Sequence, residues 1–345
     1  MKKFLLMTAC IIMMSMTANA ISINKALLVH DGEVTLFDGL QDAINASADG
    51  DAVYLTLGTF KGPITITKKI TVRGTGETSI IDGDVEVSIS GSPNLDSPVL
   101  EALTVTGNVT VQTALSNLNF YKCKINGTLA LNGTINGGKT ENCKIGVIIF
   151  GDQIDNYFID RCYVTNTLTL SSGIMGMTVT NTKLRNIQAN LGTSGNTTFV
   201  NCNINSLYVP NFSGTIINSI IGSSRYNSNQ YSSILSTVLL NTLLYSYNQY
   251  VTIGSSSVAQ NCYYQSSSIN NGLINSNSEC YYSTSQLQSK GWLGTDGTVV
   301  GIYGGSTPYS ETDMLVPAVP KVTSSDLQLD NENKQLNVKL TVSPQ

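Results

Sequence analysis

Carboxylates come close together at two places in this chain. In Asp82-Gly83-Asp84-Val85-Glu86-Val87 the acids alternate with apolar residues. On a strand, Asp84 and Glu86 therefore project from one face while Val85, Val87 and Ile89 project from the other. Two carboxylates side by side could hold a cation or serve as acid and base, and they equally make a solvated face that discourages edge pairing. The second group is Asp152, Asp155 and Asp160 with Arg161. There a guanidinium could act as the base of a lyase, or the same residues could cap turns and form a local ion pair. Tyrosines offer a different chemistry: Tyr226, Tyr231, Tyr245, Tyr247, Tyr250, Tyr263 and Tyr281 gather in the C-terminal half. Exposed on strands, they would present an apolar ring face and a hydroxyl to a sugar at low cost in side-chain entropy.

What lies between these groups limits the chemistry. From Cys162 to Ser278 there is no Asp or Glu, and the only cations are Lys183, Arg185 and Arg225. That stretch supplies neither the carboxylate pair of a glycosidase nor the oxygen ligands of a calcium site. His30 is the sole histidine and precedes the repeating region, where a surface position is expected.

The elements that would carry these side chains follow from a repeat of about 20 residues. A small residue recurs at Cys123, Cys143, Cys162, Thr182, Cys202, Ser219, Thr242, Cys262 and Cys280. Two positions later stands an apolar or aromatic residue: Ile125, Ile145, Val164, Leu184, Ile204, Ile221, Leu244, Tyr264 and Tyr282. Both positions share a strand face and are expected to point inward, with small side chains as filler. Asparagine precedes six of the small residues and is expected to stack as an amide ladder at a corner. Irregular spacing near Ser219 and Thr242 predicts a surface excursion around Arg225 to Ser233. A repeat this short, β-rich and without a leucine framework reads as a parallel β-solenoid.

Composition agrees with that reading. Charged residues are 12% and apolar residues 41%, with a net charge of −4 and no Lys/Arg cluster. The pattern argues against a nucleic-acid partner and against disorder. Residues 1–20 read as a signal peptide, with Lys2 and Lys3, an apolar run from Phe4 to Met14, and Ala18-Asn19-Ala20 before the cut. Cys10 as a lipid anchor is the competing reading. The mature chain is expected to be secreted, periplasmic or at the cell surface, with no transmembrane segment. Its six remaining cysteines stand in one column, where parallel Cβ vectors about 4.8 Å apart suit neither disulfides nor a tetrahedral metal site. Free buried thiols and no bound metal are expected.

Residues 21–50 read as an N-terminal cap containing a short helix at Leu40–Ala46, and 51–293 as the solenoid. Strands are expected at Ala52–Leu57, Ile64–Thr67 and Ile70–Arg73. The run LQDAINASADGDAVYLTLGTFKGPITITKKITVRGTG resembles the opening of pectin-lyase-like right-handed parallel β-helix proteins, and the NCxI-type rungs fit them too. The resemblance spans roughly Asp38 to Tyr282 and reaches the fold, not an enzyme subfamily. It implies an all-β, right-handed, single-stranded parallel β-helix. It also implies a family whose enzymes act on acidic polysaccharides through carboxylates that bind Ca²⁺ or act as acid and base. The paired-aspartate and Gly-His-Gly patterns of polygalacturonases are missing.

Residues 294–345 read as a Gly- and Pro-rich closing segment, expected to cover the C-terminal end of the core, followed by a terminal β strand at Leu336–Val342. The functional expectation is an exported, non-catalytic protein that binds a polysaccharide or surface glycan on an uncharged Tyr/Asn-rich face. A divergent polysaccharide lyase or glycosidase is the alternative, with Asp84, Glu86, Asp152, Asp155 and Arg161 as its catalytic set and Ca²⁺ required only in that case. A structural or adhesive rod is the third reading.

Overall fold

The computed structural model describes residues 24–314 apart from 96, 152, 190–195, 209–211, 213, 224, 227–229, 232, 235–237, 246–251, 254–256 and 266–272, together with the segments 321–330 and 335–343. Strands of a first sheet, thirteen in all, alternate along the chain with strands of a second, fourteen-stranded sheet. Successive coils pair in parallel and wind a β-solenoid of about nine turns. Its core is a stack of like residues. In the first sheet Phe120, Thr140, Ile159, Val179 and Phe199 lie one above another, and in the second Ile125, Ile145, Val164, Leu184, Ile204, Ile221 and Leu244 do the same. All of these residues are buried.

Between the two strands of each coil the chain turns through a residue with positive φ, at Asn142, Asn181, Asn201, Asn218, Asn241 and Asn261 with φ of 44–52°. Lys122 and Arg161 hold the same place at 53° and 51°. Asparagine recurs here because it tolerates the left-handed region at less cost than other side chains that carry a Cβ. The expected amide ladder does not form: among the described residues no amide-to-amide bond runs down this column, and Asn181, Asn218 and Asn241 bond to a later segment of the chain.

The small residues after the corner are more than filler. The backbone amide of Cys123 donates to Cys143 Sγ at 3.3 Å, that of Cys143 to Cys162 Sγ at 3.4 Å, that of Cys162 to Thr182 Oγ1 at 3.2 Å and that of Cys202 to Ser219 Oγ at 3.0 Å. Each thiol or hydroxyl donates in turn to the carbonyl two residues before it, as Cys143 does to Glu141 and Thr182 to Thr180. Cys, Ser and Thr exchange freely because each carries one donor and one acceptor next to Cβ. Alanine, equally small, stands at none of the nine positions. The six described cysteines are free, and Cys123, Cys143, Cys162 and Cys202 are fully buried.

The N-terminal end is closed by α1, Leu40–Ala46, which buries Leu40, Ala43 and Ile44 against the first coils. Gln41 bonds both the amide and the carbonyl of Thr65, which ties the helix to the second sheet, and Lys68 Nζ binds the carbonyls of Ile44, Asn45 and Ser47 at the helix end. An antiparallel hairpin, Ala26–His30 with Glu33–Phe37, extends the first sheet beyond Ala52–Leu55. That hairpin was not read from the sequence. His30 is exposed on it and bonded to Asp51, whose hydrogen bond and charge raise the imidazole above its usual range.

At the other end the last described strand of the two solenoid sheets is Tyr263–Gln265. Cys280 and Tyr282 are therefore not a ninth rung: they belong to a segment at 273–282 packed outside the coils, where Ile274 bridges Cys280 antiparallel. Tyr264, expected inside, is in register with buried Leu244 yet half exposed, because no described coil lies beyond it. The terminal strand is one half of a hairpin, Lys321–Asp330 paired with Gln335–Ser343.

Candidate functional site

Asp84 and Glu86 take the predicted alternation, with Val85 and Val87 buried and both acids exposed. Asp84 is nevertheless committed to structure. Its Oδ1 accepts the amide of Asn108 in the next coil at 2.7 Å, and Asn108 Oδ1 accepts the amide of Thr128 at 2.9 Å. The acid is the first member of a column of corner caps. Glu86 stands in register between Thr65 and Thr110, away from any other acid on its own row.

Of the second group, Asp152 lies outside the described residues. Asp155 is half-buried on the outer face of the first sheet, in register with Asn136 and Met175. Asp160 and Arg161 meet two residues that the sequence reading did not select, Glu141 and Lys139. One coil period separates Glu141 from Asp160, and parallel register sets them side by side. Lys139 Nζ contacts Glu141 at 3.0 Å and Asp160 at 3.2 Å, Arg161 Nε contacts Asp160 at 3.1 Å, and Arg161 Nη2 pairs with Glu141. Thr180 Oγ1 adds a bond of 2.6 Å to Asp160. The result is a neutral network of two cations and two anions. Burial works against the Lys139 ammonium, but the bonds and charges of Glu141 and Asp160 hold its pKa above the ordinary lysine value.

Beside the network the sheet carries an apolar platform. Phe158, between Lys139 and Thr178 in register, is 48% exposed, and Met175 is 61% exposed. Asn117, Asn136 and Asn156 are exposed on the same sheet. Asn117 and Asn156 occupy a second column of left-handed residues, completed by Gly137 and Gly176. Asn156, two residues before Phe158 on its strand, is the nearest of these amides; Asn136 lies one coil earlier in the column of Asp155, and Asn117, two coils earlier, donates its amide to Asn94 Oδ1 at 2.6 Å.

The tyrosines fare differently. Tyr226 and Tyr231 lie on the expected excursion, in the short pairing of Arg225–Tyr226 with Gln230–Tyr231. Tyr247 and Tyr250 lie outside the described residues, as do the side chains of Tyr226, Tyr231 and Tyr245. Tyr263 donates its hydroxyl to the Leu293 carbonyl at 2.7 Å and accepts the Leu293 amide at 3.3 Å, which fixes the ring under a later segment. Tyr281 is exposed.

That later segment is the Gly-rich stretch, and it runs along the side of the solenoid instead of over its end. Leu293 bonds Asn241, Thr295 bonds Asn218, Ile302 bonds Asn203, and Gly304 bonds Asn181, so the strap passes back across successive coils. Gly301, with φ of 85°, lies where a Cβ would come within 2.5 Å of Asn203 Oδ1. Under the strap the outward residue after each small rung changes character, from Lys124 and Lys144 to Ile220 and Leu243, which are buried with Leu273, Ile274 and Val299. Lys183 marks the transition. Its side chain is 2% exposed, between the rings of Tyr163 and Tyr309 at 5.3 and 4.8 Å, with Glu279 and Glu311 at 3.6 and 3.8 Å. Part of the asparagine corner is therefore occupied by the chain itself.

Among the described residues no three His, Cys, Asp or Glu side chains come together as metal ligands, and no helix is long and apolar enough to cross a membrane. Compared with protein-family models, curated proteins and solved structures, the chain matches none.

Proposed function

We propose that this chain is an exported β-solenoid of pectin-lyase-like architecture that binds carbohydrate without cleaving it, on the outer face of the first sheet around Phe158. The observation that carries this reading is the exposed Phe158 ring, in register between Lys139 and Thr178, with exposed Asn156 two residues before it on the same strand. An aromatic face on a rigid strand stacks on a pyranose at little entropic cost, and a neighbouring amide bonds its hydroxyls. Residues 1–20 supply the export signal. The reading moves the ligand away from the tyrosine-rich flank: Tyr263 is tied to Leu293, while Tyr281 remains available at its edge.

The way several of the acids are used supports a non-catalytic reading. Hydrolysis requires one carboxylic acid and one carboxylate free to act across the scissile bond. Asp84 caps a backbone amide, and Glu141 and Asp160 are each shared between Lys139 and Arg161. A second reading, a polysaccharide lyase, draws on the same network, since β-elimination can use Lys or Arg as base. A base must be neutral to take a proton, and ion pairing holds Lys139 in its charged form.

Affinity electrophoresis of the mature chain through gels containing pectic, alginate-type and neutral polysaccharides, with and without Ca²⁺, tests the reading. Retardation by at least one glycan with no release of reducing or unsaturated ends is expected. Product formation would establish the lyase or hydrolase instead, and mobility unaffected by every glycan would leave a structural rod.

A further inference from the structure

The C-terminal hairpin pairs Leu327 with Val338, Leu329 with Leu336 and Ser325 with Leu340. Residues directly opposite across an antiparallel pair share a face, and alternation adds Val342 to it. One face of the hairpin thus holds Leu327, Leu329, Leu336, Val338, Leu340 and Val342, while Asp326, Gln328 and Lys339 fall on the other. A two-stranded hairpin is marginal in water unless a further layer covers its apolar side.

The solenoid presents a surface of the same kind. On the outer face of the first sheet, charge ends at Asp160, and the later coils carry Val200, Ile217 and Leu240 in one column and Val238 and Val258 in the neighbouring one. Val238 is 36% and Val258 48% exposed. At about 4.8 Å per coil the aliphatic run covers roughly 14 Å, well within the length of about 30 Å of a nine- or ten-residue strand.

The connection between hairpin and solenoid is short. Met314 is buried with Tyr163, Ile302 and Tyr309 at the end of the strap. Seven residue steps, including Pro317 and Pro320, separate it from Lys321. At about 3.1 Å per step they reach ~22 Å. Two coil spacings separate Asp160 from Val200, and four separate it from Leu240. These correspond to about 10 and 19 Å. Met314 packs on Tyr163, three residues past Asp160 across the Arg161 corner, so the linker has to round that corner; its ~22 Å reaches the near coils at Val200, and the hairpin's own length spans the rest of the patch.

We propose that the hairpin Lys321–Ser343 folds back over the first sheet and packs its apolar face on Val200, Ile217, Val238, Leu240 and Val258, closing the late coils of that face with a segment of the same chain. Sheets packed face to face at about 10 Å bury both surfaces at once. The interface is built of uncharged residues on either side, and it leaves the Phe158 platform on the earlier coils open.

Hydrogen exchange read by mass spectrometry on the full mature chain tests this, at two protein concentrations and with the double variant V238K/V258K. Both substitutions are outward on the sheet, and unchanged exchange in the strands Lys124–Leu131 and Lys144–Phe150 checks that the solenoid stays folded. Protection of the 321–343 amides at least tenfold over an unstructured chain is expected at both concentrations, falling roughly tenfold in the variant. Three results would overturn the proposal: free-chain exchange of the hairpin in the parent, protection that survives V238K/V258K, or protection that appears only as concentration rises, which would assign the face to a second copy.

Discussion

Cys143 joins its coil to the one before it through a single atom: its Sγ accepts the backbone amide of Cys123 at 3.3 Å and donates to the Glu141 carbonyl at 3.2 Å. Repeated down the stack, this bond satisfies amides that the corner would otherwise leave buried and unpaired. Removing the side-chain atom should therefore cost more than the volume lost. Cys143→Ala is expected to destabilise by about 1–3 kcal/mol, and Cys143→Ser, which keeps both bonds, to stay within about 1 kcal/mol of the parent. Urea midpoints of the three proteins check this. Equal loss in both variants would mean that the thiol acts only by filling space.

The same burial makes the fold alkali-sensitive. Burial pushes the Cys143 and Cys162 thiols well up and Cys202 up to about 12. An unfolded thiol loses its proton near pH 8.5. Below that pH the two states bind the same proton, and the stabilisation is fully present. Above it the unfolded state releases protons that the folded state keeps, so stability falls by up to about 1.4 kcal/mol per pH unit for each thiol. The triple variant C143S/C162S/C202S should lose less than the parent between pH 8.5 and about 11 in melting experiments.

Thiol chemistry separates two classes in the native state. Cys262 and Cys280 are partly exposed, whereas Cys123, Cys143, Cys162 and Cys202 are buried. Reaction of the native chain from residue 21 onward with an aromatic disulfide reagent should release two equivalents, and the other four only on unfolding. Rapid release of more than two would show that the stack opens.

The solenoid was legible because its information is periodic. Helix Leu40–Ala46 and the inward columns of Cys123 and Ile125 appear where alternation and spacing put them. The asparagine corner was legible in position but not in cause, since left-handed φ and amide stacking both favour the same residue. The Lys139–Glu141–Asp160–Arg161 network escaped notice because its pairs are about one coil apart, a distance that becomes adjacency only once register is counted. The strap left a trace that went unread: the position after each rung turns from Lys124 and Lys144 to Ile220 and Leu243, an outward column that becomes apolar because something covers it. Glycines alone do not say which surface a segment lies on.

Lys122 holds a left-handed corner at φ 53° in a column where six of the corners use asparagine. Lys122→Asn should relieve backbone strain of about 1 kcal/mol while giving up the Lys122 ammonium over the Tyr121 ring, 5.3 Å from its centroid, worth about 0.5 kcal/mol at a partly exposed site, for a net gain of about 0.5 kcal/mol. A thermal melt checks the sign, and a lower melting temperature would contradict the steric account of the corner.

Lys183 fastens the strap. Lys183→Ala removes the ammonium between Tyr163 and Tyr309 and its pairing with Glu279 and Glu311. Cleavage within 293–314 by a nonspecific protease should accelerate roughly tenfold, equivalent to about 1.4 kcal/mol, while the coils from Cys123 to Cys162 stay resistant. Unchanged cleavage would mean that the backbone bonds to Asn181, Asn203 and Asn218 hold the strap unaided.

In the proposed function Phe158, not a carboxylate, engages the glycan. That engagement is tested most directly by measuring affinity-gel dissociation constants of the parent, Phe158→Ala and Asp84→Asn for the polysaccharide that retards the parent most, with product release followed in the same samples. At least a tenfold weaker constant is expected for Phe158→Ala, an unchanged constant for Asp84→Asn, and no product from any of the three. Full retention by Phe158→Ala, or product from the parent that is lost in Asp84→Asn, would contradict the proposed function.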